Sequence, residues 1–256
     1  MTSPSVSLVA EPIFNIGPIT ITNSMLLGAI GAAVLFGVFF YVATTLRRHQ
    51  YNRLNVLVLW GFETLLTTTE EVLGDRTAAR KIAPLAITMF FIIVINNWLE
   101  VLPILNTITW HGVSLFRGLA ADLNFTTSLA IITMVSAQLY GIKNRGIMGN
   151  TGRYIGNPFK DPLHAFEGFL EIIAEFSRGI ALSMRLFGNI FGGEVLLVVI
   201  AFITSWAAPI ALPFFILLEL FVGAIQAYVF YMLTVVFISL GAESHDEEAQ
   251  ASAMAH

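Results

Sequence analysis

An arginine stands inside a long apolar run at position 185, in the stretch Ser183-Met184-Arg185-Leu186-Phe187-Gly188-Asn189-Ile190-Phe191-Gly192-Gly193-Glu194-Val195. A guanidinium is not deprotonated under biological conditions, and seating one at the centre of a membrane helix costs about 2.5–3.5 kcal/mol. Its permanent charge is therefore read as functional. The alternatives are an arginine that snorkels to the headgroups or one paired structurally with a carboxylate. Gly188 and Gly192 follow at i+3 and i+7 with Asn189 at i+4, so this helix face is small and polar beside one large cation. Small residues at such spacing let another helix come close, either from the same chain or from a partner. Other titratable and polar groups are spread through the same apolar context: Glu171, Glu175 and Arg178 before the arginine, Glu194 after it, Glu219 and Gln226 on the next segment, and Asn96, Asn97 and Glu100 far upstream.

The elements that must position these groups belong to a membrane protein. Hydrophobic residues make up 56% of the 256-residue chain and charged residues only 12%, about half the charged share of a soluble domain. Runs over 24–46 and 82–103 are long enough to cross about 30 Å of hydrocarbon, and 125–142 is a shorter, more polar third span. Helical patterns over 162–203 and 207–240 would extend roughly 60 and 50 Å, so they must tilt, kink or protrude, forming a steeply tilted hairpin over about 162–240. Between the first two spans, Leu54, Leu57, Val58, Phe62, Leu65 and Leu66 oppose Glu63, Glu70, Glu71 and Asp75. That pattern predicts an interfacial amphipathic helix over about 52–75. The fold class is thus all-α and integral to the membrane: an N-terminal segment 1–22, a single membrane domain 23–241 and an acidic tail 242–256. Residues 1–22 carry no basic n-region ahead of the first apolar run, so a cleaved signal peptide is not expected.

Basic residues set the orientation. Arg47, Arg48, Arg53, Arg76, Arg80 and Lys81 lie between spans one and two, and Lys143, Arg145, Arg153 and Lys160 after span three, leaving Arg117 opposite. The N-terminus then faces outward and the tail Glu243–Glu248 is cytoplasmic. Glu194, Glu219 and Glu100 fall on the outer side of Arg185, whereas Glu171 and Glu175 fall on the inner side. Glu171 is about 40° from the arginine's stripe but about 21 Å away along the axis, and Glu194 lies on the opposite face. The two carboxylate sets read as separate wet vestibules that cannot share one straight pore.

Several function classes are excluded or disfavoured. Cysteine is absent, which rules out disulfides, thiolate metal sites and cysteine nucleophiles. There is no His-Glu-x-x-His, no Gly-x-Ser-x-Gly and no Gly-x-x-x-x-Gly-Lys-Ser/Thr, so neither a hydrolase nor a nucleotide site is expected. No cofactor, metal or catalytic residue is assigned. The net charge of -4 without a basic tract gives no support to nucleic-acid binding. His164 reads as a headgroup-level residue and the methionines as packing or lipid contacts. A secondary transporter is the alternative function, although no internal repeat is visible.

Residues 185–189 with Gly193-Glu194, Asp122-Leu123-Asn124 with Thr126, Asn97 with Glu100-Val101-Leu102-Pro103, Asn157-Pro158, and Gln226-Ala227-Tyr228-Val229-Phe230 occur in the order seen in one family. Over about residues 20–241 the chain resembles subunit a of the bacterial rotary F-type ATP synthases. The resemblance implies a stator that stands against a ring of c subunits in the cytoplasmic (inner) membrane. It further implies peripheral-stalk b subunits and the catalytic head as partners, with protons passing through two offset half-channels. Arg185 would hold the passing ring carboxylate ionised and block a direct leak. Glu194 and Glu219, with Asn97 and Glu100, would serve the outer half-channel; Glu171 would serve the inner one; Gln226 and Asn189 would be polar neighbours of the arginine. Some relatives have His where this chain has Glu219, which leaves two outer carboxylates able to titrate as a coupled pair. Glu175 and Arg178 receive no role from the resemblance, and an interfacial ion pair is the use expected of both.

Overall fold

A computed structural model describes residues 10–17, 19–49, 52–102, 108–110, 113–152, 154 and 162–242. A hairpin of β1 (Pro12–Ile16) and β2 (Ile19–Thr22) leads into six helices: α1 (Asn23–Arg47), α2 (Arg53–Leu73), α3 (Arg76–Glu100), α4 (Leu123–Gly152), α5 (Pro162–Thr204) and α6 (Ala208–Ala242). Two short strands, β3 (Thr109–Trp110) and β4 (Val113–Ser114), pair between α3 and α4. Four stretches are long and apolar enough to cross a membrane: α1, α3, α4 as far as Asn144, and the 75 residues Phe166–Leu240 that take in both α5 and α6. The all-α membrane architecture expected from the sequence is the one observed. Asn157-Pro158, Pro103 and the acidic tail lie outside the described residues, as does the His164 side chain.

Local chemistry sets the element ends. Gly74 closes α2 in the left-handed conformation at φ 65, and Asp75 next to it caps α3 by accepting from the Thr77 and Ala78 backbone N–H groups. Gly there is free of the Cβ clash, and the Asp carboxylate satisfies otherwise orphaned donors. This cap starts α3 at Arg76, so the charged residues ahead of position 82 are helical rather than loop. Likewise α4 outruns the expected 125–142 and is broken at Gly146, whose φ of 75 is not helical.

The chain reverses between α5 and α6 through a single tight turn, Ser205–Ala207. At 43 and 35 residues, these helices extend about 65 and 52 Å. Helix α6 is the hub, packing against α2, α3, α4 and α5. Its Ala227 and Phe230 share a core with Met89 and Ile93 of α3, Leu129 of α4, and Leu182, Leu186 and Ile190 of α5. In lipid, apolar burial does not draw helices together, so side-chain hydrogen bonds help to fix which helices meet. Thr133 and Thr234 (3.3 Å) join α4 to α6, Thr127 and Ser183 (3.0 Å) join α4 to α5, and Thr69 and Tyr231 (2.6 Å) join α2 to α6.

The Tyr231 hydroxyl, fully buried, also donates to the Leu65 carbonyl at 2.5 Å. Tyr231→Phe removes both of these hydrogen bonds between α6 and α2, leaving only the Thr69 Oγ1 donation to the Leu65 carbonyl within α2. The expected loss is about 1–3 kcal/mol, read as a lower unfolding midpoint in detergent without a change in helix content.

Candidate ion-conducting site

Arg185 sits on the exposed face of α5, and among the described residues it makes no ion pair. The geometry of its stripe is open. Gly188 and Gly192 are exposed, and a Cβ added at either would touch nothing. Among the described residues these glycines make no close approach to another helix, which disfavours the same-chain reading of their spacing. Behind this face, Leu182, Leu186 and Ile190 are buried and lock α5 onto α4 and α6. One side of the helix is thus a packed anchor, and the other presents a cation flanked by small residues. Asn189 and Gln226 are partly and largely buried nearby in sequence and on the returning helix. Asn189 Nδ2 and Gln226 Nε2 have no protein partner.

The outer carboxylates do converge. Glu100, at the end of α3, lies within electrostatic reach of Glu194 on α5 and Glu219 on α6. Two glycines create the room. A Cβ at Gly193 would overlap the Glu219 carboxyl, and one at Gly118 would overlap that of Glu100. Gly193, the residue before Glu194, thereby lets the Glu219 carboxyl lie against the α5 backbone. Asn97 reaches α6 as well, donating from Nδ2 to the Gly223 carbonyl at 3.3 Å.

Sequence reasoning missed one member of this group. Arg117, assigned above only as a basic residue of an outer connection, is 5% exposed, and its Nε lies 3.7 Å from Glu194 Oε2. Its one sequence signal was its place, a lone arginine on the outer side, five residues ahead of Asp122. Among the described residues, several buried polar atoms here have no hydrogen-bond partner: Asn97 Oδ1, Arg117 Nε and Nη2, and Glu194 Oε2; Asn189 Nδ2 and Gln226 Nε2 share that state, as does Asn96 Oδ1, which faces Gly31 of α1. Native proteins leave few such atoms, and those that remain bind water. The cluster is chemically suited to a hydrated chain of proton-exchanging groups.

The inner groups are arranged differently from the expectation. Arg178 Nη2 pairs with Glu171 Oε1 at 3.5 Å, one helical turn and three residues earlier, and its guanidinium lies over the Phe237 ring at 5.9 Å. Glu175 instead accepts a hydrogen bond from Gln138 Nε2. An ion pair does form, but with Glu171 as its acid. The same Gln138 takes Asn150 Nδ2 at 3.0 Å and gives to the Tyr154 hydroxyl at 2.8 Å, so it ties the segment beyond the Gly146 break back to α5. A cleft of about 530 Å³ between α4 and α5 runs from Glu175 to Ser183 and Met184, directly before Arg185. Its walls are apolar apart from Thr127, Glu175 and Ser183. Along α5, Arg185 stands between Glu194 on one side and Glu171 and Glu175 on the other.

Comparison with known proteins returns one family. Residues 25–239 match the family model described as ATP synthase A chain. The chain is 34% identical over 231 residues to an ATP synthase subunit a of Mycobacterium leprae, covering 88% of each sequence. It is 31% identical to an ATP synthase subunit a 2 of Photobacterium profundum, covering 87% of this chain and 89% of that one. A Coxiella burnetii ATP synthase subunit a is 33% identical over 183 residues, covering 70% and 68%.

Proposed function

The chain belongs to the ATP synthase A chain family of the membrane sector, and from that membership we propose that it is the proton-translocating stator of the complex, offering a c-subunit ring two offset half-channels kept apart by Arg185. One observation carries this reading: a mid-helix arginine, exposed and without an ion pair among the described residues, on a face kept small by Gly188 and Gly192. A cation left on a lipid-level face is costly unless an anion meets it. A passing carboxylate of the ring supplies that anion. Opposite charge within about 4–6 Å favours its ionised form, so the proton brought to the arginine is released. Because the guanidinium cannot lose its own proton, it also cannot relay one, and the two vestibules stay separate.

On the outer side, Glu194, Glu219, Glu100 and Asn97 carry protons in from the surface through a hydrated cluster. On the inner side, Glu171 serves the cytoplasmic exit, with the cleft beside Glu175 leading toward Arg185. Gln226 and Asn189 are the polar neighbours of the arginine. The N-terminus lies outside the bacterial inner membrane and the C-terminus in the cytoplasm. Peripheral-stalk b subunits hold the stator against the catalytic head, where nucleotide chemistry takes place. An independent secondary transporter gains no support, and copurification with a c ring and the catalytic head separates the two readings.

Sidedness of access tests the two half-channels. The chain has no native cysteine, so single replacements report cleanly. Glu194→Cys and Glu219→Cys are expected to react with impermeant thiol reagents from the outside, and Glu171→Cys from the cytoplasm. Identical sidedness for all three would contradict the reading.

A further inference from the structure

Three carboxylates and one guanidinium share the outer cluster, and the guanidinium has no task in the function proposed above. We propose that Arg117 is a positioning residue of the outer access path: a fixed countercharge that offsets one of the three carboxylates, so that the cluster does not retain an additional proton. This rests on reading the cluster as a proton path.

The geometry distinguishes this from a packing role. An arginine that builds a fold spends its five donors on carbonyls and carboxylates at hydrogen-bond distance. Arg117 is buried, yet among the described residues its Nε and Nη2 have no hydrogen-bond partner, and the facing Glu194 Oε2 has none either. At 3.7 Å the pair is within ion-pair reach but longer than a hydrogen bond. The charged groups facing Arg117 are Glu100 from α3, Glu194 from α5 and, further along the cluster, Glu219 from α6. Asp122, near it in sequence at the start of α4, is engaged elsewhere, accepting from the Ser24 hydroxyl at 2.8 Å and the Asn124 backbone at 2.9 Å. Gly118, the next residue, seats the Glu100 carboxyl where a side chain would stand. The loop thus delivers a cation and a notch to the same cluster.

Where carboxylates interact strongly, their protons belong to the group rather than to single residues. One neighbouring cation lowers the proton affinity of the whole set. Removing it raises that affinity, so proton release requires higher pH and the working range moves alkaline.

The test is ATP-driven proton pumping against pH in inverted vesicles carrying the assembled complex. Arg117→Gln is expected to shift the pH optimum upward by about one unit or more. Arg117→Lys, which keeps the charge, is expected to retain the wild-type profile. Adding Glu194→Gln to Arg117→Gln removes the surplus negative charge and returns the profile toward wild type, although the rate stays reduced. An unmoved optimum in Arg117→Gln at normal assembly, or a shift that Glu194→Gln does not reverse, overturns the proposal. Should Arg117→Gln fail to assemble, the double variant decides: recovered assembly supports charge compensation, and continued failure overturns it. Arg185→Lys is run alongside. Its loss of coupling together with an unmoved Arg117→Gln profile strikes this proposal alone, whereas normal pumping by Arg185→Lys strikes the functional reading.

Discussion

Arg185→Lys is expected to abolish ATP-driven proton pumping and coupled synthesis even though it preserves the formal charge. Lysine loses its proton readily when desolvated, and its compact ammonium lacks the planar fork that engages a carboxylate on two sides. The face around Arg185 is open, with nothing from this chain filling the space beside Gly188 and Gly192. Among the described residues nothing nearby compensates for a shorter, deprotonatable cation. Arg185→Ala goes further, removing the barrier between the vestibules, and is expected to permit passive proton leak as well. The measurement is quenching of a pH-sensitive dye in inverted vesicles, with immunoblots to equalise assembly. Normal pumping by Arg185→Lys at wild-type assembly would falsify the assignment.

The second large effect is expected at Glu219. This carboxyl lies across Gly193, one residue from Glu194 and within reach of Glu100, so a proton arriving at one acid has a neighbour to accept it. Each proton crossing the membrane gains about 2.3 kcal/mol per 100 mV, and a relay group that binds too tightly or too weakly wastes that gradient. Glu219→Leu removes a relay site, and proton-transfer groups typically contribute about 100-fold or more. A slowing of at least that order is expected when delivery through this cluster limits the rate, along with a displaced pH optimum. Glu219→His keeps a titratable group in the notch and is expected to keep substantial pumping. Glu194→Gln should resemble Glu219→Leu, and the double variant should lose less than the two singles together, because groups acting as a unit are not additive. Strictly additive losses with unchanged pH profiles would show that the two acids work independently.

Much of the architecture could be read along the chain because lipid forces each spanning segment to satisfy its own backbone. A long apolar run in that setting has one outcome, and α1, α3, α4, α5 and α6 follow from it. The turn between α2 and α3 was not legible: Asp75 counts on the polar face of the helix expected over about 52–75, whereas Gly74 ends that helix and Asp75 caps the next. Depth followed from the rise per residue, which placed Glu194 and Glu219 together beyond Arg185 and Glu171 before it. Lateral position is another matter. In lipid the helices are held side by side by close packing and a few hydrogen bonds between residues far apart in sequence, and no periodicity records those pairings. Only the folded chain revealed that Arg117 leaves its connection to lie buried against Glu194. It also decided that Arg178 takes Glu171, seven residues away, while Glu175, at the i+3 spacing that favours a pair, takes Gln138. The glycines divide the same way. The Gly188 and Gly192 stripe was visible from its spacing, but the space at Gly118 and Gly193 belongs to carboxylates carried in by other helices. Sequence sets what each helix is and the order of the groups along it, and tertiary packing decides which of those groups can exchange a charge.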